Sequence, residues 1–452
     1  MADSSGIIVR IAPSPTGFFH MGTLRTALFN YLYAKRHGGS YLLRIEDTDK
    51  IRSKKEYEDD ILASLEWLGI THDAFFRQSE HLDNHRGFLQ ELIASGKAYA
   101  SKEESKENPG EMREVIRFKN PNGVVTFTDL ILGEISVDTT DLGDFIIAKD
   151  MDTPLYNFAV VVDDIEAGIT HVIRGQDHVS NTPRQILLYR ALGKPEPKFA
   201  HIPLILAPDK QKLSKRKHGE SVSVRHYREK GYLPEALINF MALIGWNPGT
   251  DQELFSLAEL TGVFDLDRVQ KSPGVFNVEK LDWINKEHIK RLSTAEQERR
   301  IREFLPETLR EKPGYSDGMI STLVPLIVDR IAKFGDVRDM CETGELDMFF
   351  AAPNPDTEKI NFKGTAPSDT KTHLEKAADI LSGIEAGDWD MDMIKDRLMQ
   401  YADTLEKRGA VLHPVRYALS GREQSPDPFT IAAIIGKTET LARLASATAS
   451  LG

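Results

Sequence analysis

The sequence predicts an α/β protein: a doubly wound parallel sheet, interrupted by an α+β insertion and followed by an all-helical C-terminal region. Three observations predict it. Short β-branched runs alternate with helical periodicity up to residue 74 and again over 150–219, and such alternation implies parallel pairing. A loop rich in proline and glycine joins the first strand directly to a helix. After Glu220 the strand signals nearly vanish.

Ile7 to Ala12 is a short β-branched run that breaks at Pro13, Pro15 and Gly17. Leu24, Ala27, Leu28, Tyr31 and Leu32 then fall at helical spacing until Gly38 and Gly39 stop the pattern. Tyr41 to Ile45 forms a second strand, and Ser53 with Glu56 has the spacing of a capping box for a helix that buries Tyr57, Ile61, Leu65 and Leu68 and closes at Gly69. Ligands of such Rossmann-like sheets sit beyond the carboxyl ends of the strands.

From about Phe75 to Lys149 the pattern changes to one helical stretch (Leu82 to Ala94), a polar segment (Ser101 to Glu111) and short strands around Val115 to Phe118, Val124 to Phe127 and Phe145 to Ile147. This reads as an insertion that splits the sheet domain. Leu155 to Val162 is helical, His171 to Arg174 extended, and Asn181, Thr182 and Pro183 open another helix before a strand at Ile202 to Leu206. Amphipathic helices follow at Pro234 to Leu243, Val278 to Arg291, Thr322 to Phe334, Thr372 to Leu381, Met391 to Leu405 and Phe429 to Leu444. The expected division is 1–74 and 150–219 for the two halves of the sheet domain, 75–149 for the insertion, and 220–320 and 321–452 for two helical regions.

At 452 residues the chain is long enough for about three domains and a substantial core. It has one cysteine, Cys341, which excludes an internal disulfide and a thiolate zinc site and fits a reducing compartment. No apolar run approaches the roughly 20 residues that span a bilayer. Met1 to Ser5 has neither the basic flank nor the apolar core of a leader, so a cytoplasmic location is expected. The formal charge of −12, from 57 basic and 69 acidic residues, would by itself argue against a polyanionic partner. Screening over about 8–10 Å makes local patches decide instead, and Lys210, Lys212, Lys215, Arg216 and Lys217 lie together against Asp209 alone.

Two segments carry chemistry. PSPTGFFHMGT, Pro13 to Thr23, stands between a strand and a helix; its glycines let backbone approach a ligand, and the helix start directs unsatisfied N–H groups outward, an anion site. His20 there can donate to a phosphate oxygen whose charge rises during transfer. The competing reading is an ordinary strand-to-helix turn with a surface histidine. KLSKRKHG, Lys212 to Gly219, follows a later strand; its lysines can counter phosphate charge, although charge runs are often only solvated loops.

Taken together, about 190 residues apart on one sheet domain, the two segments resemble the two signature motifs of the class I aminoacyl-tRNA synthetases. Finer strings, RIAPSPTGFFHMGT (Arg10 to Thr23), LLRIEDTD (Leu42 to Asp49), VVVDDIEAGITHVIRGQDH (Val160 to His178), TPRQILLYRALG (Thr182 to Gly193) and KLSKRKHG, are similar to glutamyl-tRNA synthetases of the bacterial type, through most of residues 7 to 245. Members often carry threonine or asparagine where Thr23 stands.

The resemblance implies a ligase that activates L-glutamate with ATP and magnesium to glutamyl-adenylate, then transfers it to the 3′-terminal adenosine of tRNA(Glu). It implies that Arg10, Ala12, Ser14, Glu46, Tyr156 and Arg174 hold glutamate. Arg10, with Tyr156, would take the side-chain carboxylate, Glu46 the ammonium, and Arg174 would orient the substrate; two guanidiniums and one carboxylate complement two carboxylates and one ammonium. Val160 lines the same pocket, where relatives can carry a side-chain amide. A mutual salt bridge between Arg10 and Glu46 would explain both without a ligand. ATP would meet His20, Gly22, Thr23, Asp177, Lys212, Leu213, Ser214, Lys215 and Arg216, with His20 and Lys215 countering phosphate charge as the catalytic pair and His178 near the base. Asp47 and Asp49 read as ties of their loop, and His171, His201 and His226 as ordinary. No nucleophile is needed, because activation is an in-line attack of a carboxylate on the α-phosphorus.

By the same resemblance the insertion takes the tRNA acceptor end without structural zinc, 220–320 contacts the stem, and the helices of 321–452 read the anticodon. Activation is expected to require tRNA, and the protein to be a monomer. The alternatives are a non-discriminating enzyme that also charges tRNA(Gln), and a catalytically idle synthetase-derived tRNA-binding protein.

Overall fold

The computed structural model describes residues 6–104, 110 and 112–451, with the backbone alone for 215 and 216. The readings that rest on Met1 to Ser5, on residues 105–109 and 111, and on the side chains of Lys215 and Arg216 lie outside the described residues. The chain forms two compact units, Met1–His288 and Ile289–Gly452. The limit between them falls inside the segment 220–320.

In the first unit, β1 (Ile8–Ile11), α1 (Met21–Arg36), β2 (Ser40–Ile45), α2 (Lys55–Trp67) and β3 (Ala74–Arg77) follow one another. The three strands pair in parallel, with Arg10 opposite Leu42 and Leu43 opposite Phe75. β3 runs three residues past 74; at four residues it is too short for its period to be read from the sequence. α2 differs from expectation at its start: its N-cap is Lys54, without a side-chain cap bond. The Ser53 hydroxyl is buried with no partner, because Ser53 is drawn by its backbone N–H to the Asp49 carbonyl. The capping box is therefore not made. Gly69 ends the helix at φ +69°, the left-handed conformation its closing role needs.

The insertion comprises α3 (Leu82–Ala94), β4 (Ala98–Glu104), β5 (Met112–Phe118), β6 (Val124–Asp129), β7 (Gly133–Asp138) and β8 (Phe145–Ala148). β4, β5 and β8 make an antiparallel sheet. The β6–β7 hairpin does not join them; β6 instead pairs in parallel with β10 (Lys198–Ile202) of the main sheet, Asp129 opposite Phe199. Between these come α4 (Tyr156–Glu166), β9 (His171–Gly175) and α5 (Thr182–Ala191). β9 and β10 pair in parallel with Arg174 opposite His201. Thr170, just before β9, takes the β1 edge: its N–H donates to the Ile8 carbonyl and its hydroxyl accepts from the Ile8 N–H. The strand order is thus β3-β2-β1-β9-β10, and the order reverses beside β1, where an open α/β sheet leaves its crevice. Phe158, Val161, Val172, Ile186 and Leu188 fill the core beneath it, each contributing about 1.5–3 kcal/mol of burial.

The strand expected over Ile202 to Leu206 is broken. Pro203 has no N–H for a ladder, so β10 stops at Ile202 and a separate β11 (Ile205–Leu206) pairs with β12 (Gly274–Val275). α6 (Lys215–His218), α7 (Val224–Glu229), α8 (Pro234–Leu243) and α9 (Leu257–Val263) complete this unit up to α10 (Val278–Arg291).

Among its described residues the second unit has helices joined by loops and no strand: α11 (Thr294–Phe304), α12 (Glu307–Arg310), α13 (Asp317–Arg330), α14 (Asp336–Glu342), α15 (Pro367–Ser382), α16 (Met391–Ala402), α17 (Gly409–Ser420) and α18 (Pro428–Ser450), the last broken by a kink at Gly436. α13 begins five residues before the expected Thr322 because the Ser316 hydroxyl caps it by accepting from the Met319 N–H. Leu323, Ile327, Leu374, Leu398, Val415 and Leu444 are buried together with their neighbours as this unit's core.

Candidate active site

A cavity of about 770 Å³ opens at the carboxyl ends of β1, β2, β9 and β10. It brings together nearly every residue expected to bind. Arg10, Ala12, Ser14, Glu46, Tyr156, Val160 and Arg174 line it, and so do His20, Gly22, Thr23, Asp177, His178, Lys212, Leu213 and Ser214. The side chains of Lys215 and Arg216 are outside the described residues. The two loops remote in sequence therefore face one space.

The first loop is tied down from several sides. The Glu46 N–H donates to the Pro13 carbonyl and the Lys54 N–H to the Pro15 carbonyl, both at 3.0 Å. The Phe19 N–H donates to Asp60 at 2.7 Å. His20 is the N-cap of α1: its Nδ1 accepts from the Gly22 N–H at 2.9 Å. A Cβ on Gly22 would stand 3.2 Å from that nitrogen, so the close approach needs a small residue. Because Nδ1 accepts, the ring proton of a neutral His20 is on Nε2. Burial, and then the charge of Lys212, push the His20 pKa down to about 4, so the ring is neutral near pH 7. The result is a neutral N–H donor beside a helix start, suited to an anionic oxygen.

Across the cavity Lys212 pairs with Asp177 at 3.0 Å. Burial works to raise the Asp177 pKa, but the Lys212 hydrogen bond and charge outweigh it and hold the carboxyl below its usual range. Tyr156 and His178 meet through the phenol oxygen and Nδ1 at 3.0 Å. Burial and the neighbouring Arg174 push His178 down to about 4.

The deep end of the pocket differs from the simple pairing the sequence suggested. Arg10 does not bridge to Glu46. Its Nε donates to Asp164 at 3.1 Å and its Nη2 also reaches Asp164 at 3.1 Å. A second guanidinium, fully buried Arg44, pairs with Asp164 at 2.6 Å, Glu46 at 3.1 Å and Asp163 at 3.6 Å. Asp163 in turn accepts from Gln78 and pairs with His85, both at 2.6 Å. Two guanidiniums thus face three carboxylates, and the one on the cavity wall is Glu46. Burial raises the Glu46 pKa, with Arg44 opposing. Burial works the same way on Asp164, yet Arg10 and Arg44 outweigh it and hold that carboxyl below its ordinary range.

Arg10 keeps part of its fork. A guanidinium has five N–H donors; the Asp164 contact uses the Nε edge and one hydrogen of Nη2, leaving Nη1 and the other Nη2 hydrogen. Arg174, 5% exposed, is furnished differently. Its Nε donates to His201 Nε2 at 3.1 Å and its Nη2 to the Thr182 hydroxyl at 2.8 Å, while Nη1 is buried with no partner. Both partners are uncharged acceptors, and among the described residues no carboxylate pairs with it. Burial lowers its pKa from the ordinary arginine value. Val160, 2% exposed, presents only methyl groups where an amide could stand.

Sequence reasoning missed Arg44, Asp163, Asp164, Thr182 and His201. It also missed Arg25 on α1, which lines the cavity and donates to the carbonyls of Ile244 and Pro203, fastening α1 to the chain beyond β10. The available signal was a charged residue inside an otherwise apolar run: Arg44 in LLRIE and the acid pair in VVVDDI. Asp47 and Asp49 tie loops, accepting from Ser79 and from Arg52 respectively. Among the described residues no cluster of three or more His, Cys, Asp and Glu could hold a metal ion, and no helix is long and apolar enough to cross a membrane.

A nucleotide-sized cleft at the switch point of a doubly wound sheet, flanked by these two loops and ending in buried guanidiniums, defines a class I synthetase type of catalytic domain. The family model for the catalytic domain of class I tRNA synthetases (E and Q) matches residues 6–114 and 101–283, and an anticodon binding domain model matches 282–448. The chain belongs to the bacterial glutamate–tRNA ligase family of class I aminoacyl-tRNA synthetases. It is similar to glutamate–tRNA ligase 1 of Alkalilimnicola ehrlichii, 41% identical over 98% of this chain and 97% of that one. The glutamate–tRNA ligase of Aquifex aeolicus is 49% identical over 63% of this chain and 67% of its own. Among solved structures, a glutamate–tRNA ligase from Elizabethkingia meningosepticum in complex with its amino acid superposes with a TM-score of 0.86 at 31% identity, covering 99% of this chain and all of that one.

Proposed function

We infer that this chain is an ATP-dependent glutamate–tRNA ligase: it activates L-glutamate to glutamyl-adenylate with release of pyrophosphate, then passes the glutamyl group to the 3′-terminal adenosine of tRNA(Glu). The observation that carries this reading is the convergence of the His20 loop and the Lys212–Ser214 loop on one cavity that ends at Arg10, Glu46 and Arg174.

The residues divide the work by charge. Glu46, the surplus carboxylate of its cluster, takes the substrate ammonium. Arg174, which pairs with no carboxylate among the described residues, and the free edge of Arg10 take the carboxylate charge; Tyr156 closes the pocket with its phenol, and Ala12 and Ser14 supply the loop wall. A glutamate carboxylate oxygen attacks the ATP α-phosphorus in line, the new O–P bond forms as the bond to pyrophosphate breaks, and catalysis is positioning plus electrostatics. His20 donates Nε2–H to the developing phosphate charge, Gly22 and Thr23 open the helix start, and Lys212, Leu213, Ser214, Lys215 and Arg216 cover the phosphates, with Lys215 supplying the second countercharge. Asp177 and His178 face the nucleoside. Magnesium arrives with the triphosphate as part of the substrate.

The segment 75–149 takes the acceptor end without structural zinc, 220–320 meets the stem and 321–452 the anticodon. The enzyme works in the cytoplasm as a monomer and activates glutamate with tRNA bound. Pyrophosphate exchange with glutamate, with and without tRNA, tests the core of this reading; no exchange under either condition sinks it in favour of an idle tRNA binder. Charging of purified tRNA(Glu) and tRNA(Gln) decides whether the enzyme discriminates. Lys215→Ala should slow single-turnover adenylate formation about a hundredfold while tRNA binding stays within about twofold; an unchanged activation rate removes Lys215 from its role.

A further inference from the structure

Beside the pocket lies a buried polar chain that reaches it through Arg174. Asp129, the last residue of β6, is 2% exposed, and both its oxygens are occupied. Oδ1 accepts from the N–H groups of Ile131, Leu132 and His201 at 3.0, 2.8 and 3.3 Å, and Oδ2 meets His201 Nδ1 at 2.6 Å. His201, on β10, is wholly buried and stacks on Phe199 at 6.2 Å with ring planes 7° apart. The Arg174 guanidinium lies over the same Phe199 ring at 5.6 Å. Arg174 and His201 are opposite one another across the β9–β10 ladder, which brings their side chains to one face of the sheet.

The hydrogen bonds fix the imidazole from both sides. Arginine can only donate, so the nitrogen that faces its Nε, His201 Nε2, must carry a lone pair. The single proton of the neutral ring then sits on Nδ1, where the Asp129 carboxylate accepts it. Burial lowers the His201 pKa, with the Asp129 bond opposing, which agrees with a neutral ring.

We propose that Asp129 and His201 are positioning residues for glutamate recognition: Asp129 sets the His201 tautomer, His201 Nε2 holds the Arg174 Nε, and the pair thereby fixes the Arg174 guanidinium on the wall of the cavity for a carboxylate of the substrate. This rests on the reading that Arg174 meets glutamate. An arginine with no carboxylate partner contributes nothing to a core that an apolar side chain could fill; the arrangement around it makes sense as preorganisation, in which the rotamer of a binding group is held before the ligand arrives.

Asp129→Asn preserves shape and keeps an acceptor for the three backbone N–H groups, but it turns an N–H toward His201 Nδ1. The ring must then hold its proton on Nε2, where the Thr182 hydroxyl at 3.1 Å can accept it, and it no longer accepts from the Arg174 Nε–H. In pyrophosphate exchange with tRNA present, the KM for glutamate should rise about tenfold or more while the KM for ATP and kcat at saturating glutamate stay within about twofold. His201→Gln supplies an amide oxygen near Nε2 that accepts whatever Asp129 does, so it should cost less than Asp129→Asn, and adding Asp129→Asn to it should cost nothing further. Equal shifts in the glutamate and ATP KM, or an Asp129→Asn effect undiminished in the His201→Gln background, overturn the proposal. Arg174→Met is the control: if it leaves the glutamate KM unmoved, the assignment of Arg174 fails, whereas a large Arg174→Met effect with a silent Asp129→Asn sinks the positioning role alone. Should Asp129→Asn not fold, nitrogen-15 shifts of His201 in the unaltered protein decide: a proton on Nδ1 supports the proposal and a proton on Nε2 overturns it.

Discussion

Arg10 and Arg174 stand at the carboxyl ends of two strands of the same sheet, both buried and both on the wall of one cavity. Their surroundings are opposite in kind. Arg10 is held by Asp164, which also holds Arg44, which also holds Glu46; its charge is answered inside the protein. Arg174 leans on an imidazole, a hydroxyl and an aromatic ring, and one of its nitrogens has no partner. A buried ion pair is broken at a cost when one member goes, whereas a buried cation without an acid has little to lose. The Arg10 side is therefore the framework of the pocket, and the Arg174 side is the place where charge waits for a ligand.

The sharpest way to break this distinction is to remove Arg174's charge. Arg174→Met should lower kcat/KM for glutamate by about two to three orders of magnitude, the loss expected when one member of a buried charge pair is truncated, yet leave unfolding by urea no easier than in the parent. A marked loss of stability would mean that Arg174 belongs to the framework after all. Asp164→Asn reverses the pattern. Removing that carboxylate leaves Arg10 and Arg44 facing Asp163 and Glu46 alone, and the protein should lose about 3 kcal/mol of unfolding free energy. An Asp164→Asn protein as stable as the parent would show that the cluster is not structural.

Arg10→Lys probes the boundary between the two roles. A lysine keeps a charge for Asp164 but cannot present a planar edge to Asp164 and a second edge to a carboxylate. The KM for glutamate should rise about tenfold with the ATP requirement unchanged, since one charge-assisted contact is lost. Equal shifts in both would make Arg10 purely structural.

What could be read from the sequence follows the same division. His20, Arg10, Glu46, Arg174 and Lys212 were legible because they stand in loops or at strand ends, where a polar residue among glycines and prolines asks for a ligand. Arg44, Asp163 and Asp164 stand inside β2 and α4, where period-based reading treats a charge as the solvated side. β2 has no solvated side over Tyr41–Ile45, all of which are buried. Only the folded register shows that the acid pair of α4 turns inward to meet two arginines from neighbouring strands. His201 and Asp129 were invisible for another reason: they lie 72 residues apart in sequence, and it is the pairing of the β6 hairpin with β10, not with the rest of the insertion, that brings them together. The capping box at Ser53 failed because the loop from Asp49 competes for the same backbone.

Acidification separates the two sides of the pocket more gently. Asp164 is held below the ordinary carboxylate range by Arg10 and Arg44, so its contribution is complete above about pH 4 and is lost only as the pH falls below that. His178, beside Arg174, behaves in the opposite range. It is pushed down to about 4 by burial and by Arg174, while in the unfolded chain it titrates near about 6.5. Between those values the unfolded state binds the proton that the folded state refuses, so stability falls as the pH drops through this window, by at most about 1.4 kcal/mol per pH unit for one such group. His178→Gln should therefore make the stability of the protein less sensitive to pH between about 6.5 and 4 without changing its slope below 4. Arg174→Met should act in the same direction by letting the His178 pKa rise, which proton NMR of the histidine would follow directly. A His178 pKa that stays near 4 without Arg174 would show that burial alone sets it, and that the charge of Arg174 is not felt across the pocket.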